Sequence, residues 1–100
     1  MTDANRGTGR TWNQLQNLPD GSIYMVNNPG MASHVRLILK KQGRRSDAIR
    51  VYALTDMAVE TMRGVHHDTA IVTDHHLDDV GHLHGQTWTR FLQLMAARRR

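Results

Sequence analysis

The chain has no cysteine. That excludes a disulfide framework, a cysteine-ligated zinc site and a thiol nucleophile. Aromatic side chains are scarce, five in 100 residues, so the core has to come from Val, Ile, Leu, Met and Ala. Such a core suits a small parallel sheet covered by helices. No apolar run approaches the roughly 20 residues that cross a membrane, so no membrane partner is expected. The first ten residues are polar and lack the apolar stretch of a signal peptide, which makes the cytoplasm the expected location. A length of 100 residues predicts one domain with a modest core.

What is present is basic. The net charge is +4 with histidine neutral, and seven histidines add to it at mildly acid pH. The excess is clustered. Arg6 and Arg10 lie at the front, Lys40, Lys41, Arg44 and Arg45 in the middle, and Arg98, Arg99 and Arg100 at the end. Clusters of this sign favour phosphate-rich partners, and the middle and last groups are the candidate nucleic-acid contacts.

Residues 1–10 read as a flexible arm carrying a glycine loop, and residues 11–100 as a single α/β domain. Trp12, Leu15 and Leu18 form one stripe on a short helix over 11–18, with Thr8 or Thr11 as N-cap. Pro19-Asp20-Gly21 turns the chain, and 22–26 reads as a strand. Over 31–42 a helix is predicted with Val35, Leu37, Ile38 and Leu39 inside, Arg36, Lys40 and Lys41 outside, and Gly43 as its stop. A second strand is expected over 48–54. A short helix follows to Arg63, its inner face drawn from Met57, Ala58 and Met62. A third strand, 69–73, leads into a loop over 74–85 that is rich in His and Asp. The last helix, 86–99, carries Trp88, Phe91, Leu92 and Met95 at helical spacing. Strand–helix alternation of this kind gives a Rossmann-like, three-stranded parallel sheet flanked by helices. Ligands bind such sheets beyond the carboxyl ends of the strands. Asn27-Asn28, Thr55-Asp56 and Asp74-His75-His76 are therefore expected to converge on one edge.

Two segments carry chemistry. A phosphate loop needs glycines that let several backbone N–H groups face one anion, a helix N-terminus behind them, a cation for the phosphates and a hydroxyl for Mg²⁺. Gly7, Thr8, Gly9, Arg10 and Thr11, ahead of the first helix, supply these in part, with Arg10 in the position usual for Lys. The segment resembles the start of small phage-encoded, helicase-like P-loop proteins, and the resemblance extends loosely to Ile71-Val72-Thr73-Asp74. It implies Asp74 as the Mg²⁺ residue, ATP or GTP as ligand, and the cytoplasm of a host cell. His75 stands where an acid would activate water, so the resemblance implies binding rather than fast hydrolysis.

Thr73-Asp74-His75-His76 is also similar to the signature strand of the DHH phosphoesterases, in which Asp and His sit beside a pair of Mn²⁺ or Mg²⁺ ions. That resemblance implies Asp74 and His75 as catalytic residues and Asp56, Asp74, His75 and His76 as metal ligands. Asn27-Asn28 occupies the place of that family's first acidic motif. The remaining histidines, His66-His67 and His82-x-His84, are of a type that suits Zn²⁺, Mn²⁺ or Ni²⁺.

Three functions follow as expectations. The first is an accessory or regulatory protein that binds nucleotide or nucleic-acid phosphate at a degenerate P-loop-like site. The second is a metal-dependent phosphoesterase. The third is an interaction module that docks on and inhibits a host enzyme. Self-association is compatible with each, since a three-stranded sheet leaves edges to cover.

Overall fold

A computed structural model describes the backbone of residues 3–98 and the side chains of residues 9–98. In chain order the elements are α1 (Asp3–Gln16), β1 (Ile23–Val26), α2 (Pro29–Lys41), β2 (Arg50–Ala53), α3 (Asp56–Arg63), β3 (Ile71–Thr73), α4 (His75–Val80), a 3₁₀ turn (Gly81–His84) and α5 (Gln86–Arg98). The three strands form one parallel sheet in the order β2-β1-β3. Ile23 stands in register with Arg50 on one side and with Ile71 on the other. The expected α/β sandwich is therefore what the chain forms.

β1 is central because all four of its residues are apolar enough to be buried on both faces. Tyr24 and Val26 pack with Leu15 of α1 and with Val35, Ile38 and Leu39 of α2. Ile23 and Met25 point the other way, to Val59 and Met62 of α3, Leu77 of α4 and Phe91 of α5. The period of two along one strand thus divides the core into two layers. Trp12 and Trp88 lie at the margins of these layers, one on each face.

The helices start where side chains replace missing backbone partners. Asn28 accepts from the Met31 N–H at 2.8 Å ahead of Pro29, and Thr55 accepts from the Ala58 N–H at 3.0 Å. Beyond the end of α2, Gly43 adopts φ +77°, which glycine tolerates and a β-carbon resists.

Four expectations are corrected. The segment read as an arm is helix: α1 begins at Asp3 and runs past Thr11, because Thr11 and Leu15 are buried against the sheet and extend one stripe. The loop expected over 74–85 folds into α4 and the 3₁₀ turn, since Asp74 caps a helix and Leu77 is an apolar anchor for it. Leu37 is 58% exposed and Met57 80% exposed. Each lies one residue off its helix's buried stripe: Val35, Ile38 and Leu39 serve α2, and Ala58, Val59 and Met62 serve α3.

Candidate functional site

The carboxyl ends of the strands do converge. The Leu54 N–H donates to Val26 O at 2.9 Å, and the Asp74 N–H donates to Met25 O at 2.9 Å, so both outer strands finish beside the end of β1. At this edge residues from the two motifs meet. The Thr11 hydroxyl lies 3.2 Å from Asp74 Oδ1 and 3.0 Å from His75 Nε2. It has one proton. Donated to Asp74, it leaves the oxygen to accept from His75, which places the imidazole proton on Nε2.

Asp74 is fully buried. Oδ1 also accepts from the Tyr24 hydroxyl at 2.6 Å, and Oδ2 accepts from the His76 N–H at 3.0 Å as the cap of α4. Gln14 of α1 closes the cluster. Its Oε1 accepts from the His75 N–H at 2.9 Å, and its Nε2 donates to Thr73 O at 3.1 Å. Burial raises the Tyr24 phenol above its ordinary value, and the adjacent Asp74 raises it further by accepting its hydrogen bond and by its charge. A neutral phenol and a carboxylate is the arrangement that shares a proton without placing two like charges together. Both oxygens of the buried Asp74 thus have partners, and it positions Thr11 and caps the first turn of α4.

The glycine segment sits differently from a phosphate loop. Gly7, Gly9, Arg10 and Thr11 lie inside α1, beyond its first four residues, where backbone N–H groups are directed to carbonyls one turn back. They cannot turn together onto an anion. The Thr8 side chain lies outside the described ones. Side chains remain available. Arg10, Asn13, Gln14, Asn17 and His75 line an open polar groove of about 450 Å³ along α1. Arg10 and His75, chosen from segments more than sixty residues apart, face the same space.

The phosphoesterase set does not assemble. Asp56 opens α3 beyond the end of β2 and Asp74 follows β3, and β1 lies between those two strands, which are two spacings of about 4.8 Å apart. Asp56 is occupied by the Thr87 hydroxyl at 2.7 Å and the Arg90 guanidinium at 3.6 Å, and His76 is exposed. His84 pairs with Asn27 at 2.6 Å in the 3₁₀ turn, and His82 is exposed. Among the described residues, the group whose His and Asp ligand atoms approach within 4.8 Å of one another is His66, His67 and Asp68, exposed at the opposite, amino end of β3.

The basic clusters divide by use. Arg36, Lys40, Arg44 and Arg45 line a cleft of about 460 Å³ floored by Leu39 and Ile49. Five cations lie between Asp20 and Asp47 with no acid among them. Arg44 is committed inward, to Leu15 O at 3.0 Å, Leu18 O at 2.8 Å and Asp20 at 2.5 Å. Lys40, Lys41 and Arg45 are exposed. Arg98 spends its guanidinium on the carbonyls of Val65, His66 and Thr69, and Arg99 and Arg100 lie outside the described residues.

Tyr24 and Gln14 are site residues that sequence reasoning missed. Tyr24 carried the only available signal, a polar tip inside an otherwise apolar strand. No protein family, curated protein or solved structure matches the chain.

Proposed function

We propose that the protein is an accessory or regulatory module that binds the phosphate of a nucleotide or nucleic acid, with side chains rather than a glycine loop making the contact. The observation that carries this reading is the bridge from Thr11 to Asp74 and His75. It sets the imidazole beside Arg10 over one groove, where the guanidinium and the side-chain amide of Asn13 can recognise an anion. The exposed Lys40, Lys41 and Arg45 extend the same chemistry to a longer polyanion. Asp74 is enclosed and does not face the groove, which favours binding over fast turnover.

Thermal shift in ATP, GTP and short single-stranded oligonucleotides, with and without Mg²⁺, tests the reading. A ligand at 100 times its Kd adds about 2.7 kcal/mol, a shift of several degrees in a domain this size. Arg10→Ala and His75→Ala each reduce that shift. No response to any of these ligands, or a response that both variants keep, refutes the assignment.

A further inference from the structure

The turn between α3 and β3 holds chemistry that the phosphate reading leaves unused. Gly64 caps α3, and residues 65–70 return the chain to the amino end of β3. The main chain of this turn is held in place. The Thr69 N–H donates to His66 O at 3.0 Å. From α5 the Arg98 guanidinium donates to Val65 O at 3.1 Å, His66 O at 3.0 Å and Thr69 O at 2.6 Å. These bonds fix the segment that carries His66, His67 and Asp68, and they direct the guanidinium at carbonyls. A turn ordered beforehand loses less conformational entropy when its side chains take a ligand.

The three side chains close on one point. The two imidazoles stack, with ring centroids 4.3 Å apart. His66 Nδ1 lies 3.6 Å from one carboxylate oxygen of Asp68, and His67 Nε2 lies 3.3 Å from the other. One ligand atom from each residue falls within 4.8 Å of the other two. Ligand atoms held at roughly 2.0–2.2 Å by a tetrahedral ion stand roughly 3.3–3.6 Å apart, which matches both nitrogen–oxygen spacings. Imidazole nitrogen with carboxylate oxygen, in a chain without thiols, is a donor set for Zn²⁺. His66 Nδ1 accepts from the Asp68 N–H at 3.1 Å. Both residues are exposed, so water replaces that bond when the nitrogen turns to a metal. Three protein ligands leave a tetrahedral ion one further position, and the exposed turn opens it to water.

We propose that His66, His67 and Asp68 bind one Zn²⁺ ion, which pins the turn between α3 and β3. The proposal is independent of the phosphate reading, since His75 stands at the opposite, carboxyl end of β3. Calorimetric titration of the untagged full chain with zinc chloride, followed in parallel by the histidine ring signals in NMR, tests it. Wild type takes up one Zn²⁺ per chain. The ring signals of His66 and His67 shift, and those of His75 and His82 stay in place. His67→Ala and Asp68→Asn each weaken binding at least about tenfold, because even an outer partner of a metal ligand is worth about 10–100-fold. Both positions are exposed, so the variants keep the wild-type Tm in the absence of metal. His82→Ala, in the other histidine pair, binds as wild type does. Ring signals of His66 and His67 that do not move up to about 1 mM Zn²⁺ overturn the proposal. Zn²⁺ that binds His67→Ala and Asp68→Asn as tightly as wild type also overturns it, because other side chains then hold the ion.

Discussion

The two faces of the sheet are held by different chemistry. Against α3, α4 and α5 the packing is apolar: Ile23, Met25, Val59, Met62, Leu77 and Phe91 form one buried layer. The Trp88 ring lies so close over Gly81 that a β-carbon there would come within 2.5 Å of it. Against α1 the contact is partly polar, with Tyr24, Asp74, Thr11 and Gln14 joined beside Leu15 and Val35. Apolar burial is non-directional and indifferent to pH. A buried hydrogen-bonded cluster fixes one position for α1 and contains groups that titrate. The second face therefore carries the candidate site, and the first serves as its support.

The contrast is broken most directly by cutting into the support. Phe91→Ala removes the largest apolar side chain of that layer and should cost about 3–5 kcal/mol. In a domain this size that lowers Tm by more than about 10 °C. The loss should be nearly the same at neutral pH and in the alkaline range in urea titrations, since none of the buried members of that layer titrates. A loss that changes between these conditions would mean that the two layers are not separate.

Asp74→Ala attacks the other layer. It removes the acceptor of the Thr11 hydroxyl and of the His76 N–H and leaves the Tyr24 hydroxyl only Gln14 Oε1 at 3.0 Å, and each unsatisfied buried donor costs about 1–3 kcal/mol. A net loss of about 3 kcal/mol is expected after partial rearrangement. Fast exchange of the α4 amides in native-state hydrogen exchange should accompany it, because the helix loses its cap. Equal protection of α4 in wild type and variant would show that the cap is dispensable.

Tyr24→Phe sharpens the comparison by pH. Losing the hydroxyl should cost about 1 kcal/mol at neutral pH. The larger effect lies in the alkaline range. An unfolded tyrosine ionises near pH 10, whereas the native phenol, raised first by burial and then by Asp74, keeps its proton. Above pH 10 the unfolded chain thus binds fewer protons than the native one. Stability is complete below pH 10 and falls above it by up to about 1.4 kcal/mol per pH unit. Urea midpoints between about pH 9 and 12 should show that slope in wild type and its reduction in Tyr24→Phe.

The support layer was legible in the sequence because helical and strand periods both report burial. β1, α2, α5 and the parallel sheet follow from spacing and from the alternation of elements. Local spacing did not separate adjacent residues of one stripe. Leu37 and Met57 are as apolar as their neighbours, and packing geometry alone turns them outward. The site was half legible. That Asp74, Asp56 and Asn27 share an edge followed from topology. That Asp74 is enclosed did not, because enclosure depends on a tyrosine fifty residues earlier and a threonine on α1. Gly7 and Gly9 misled for a related reason: a helix that buries Thr11 and Leu15 can absorb two glycines at about 1 kcal/mol each.

The smallest effects on stability should come from the cations, and there the comparison can be drawn within one cluster. Arg44→Ala should cost about 1–2 kcal/mol, because its guanidinium closes on the Leu15 and Leu18 carbonyls and on Asp20. Lys40→Ala and Arg45→Ala should change stability by less than about 0.5 kcal/mol, since both side chains are exposed. Their effect should appear in binding. Removing one phosphate-neutralising cation lowers the slope of log affinity against log salt for a single strand by about 0.7. Fluorescence anisotropy with a labelled oligonucleotide at several salt concentrations measures that slope. A flatter slope in Lys40→Ala and Arg45→Ala places the polyanion along the end of α2 and the loop after it. An unchanged slope confines recognition to Arg10 and His75, and the outer face of α2 then contributes only solubility.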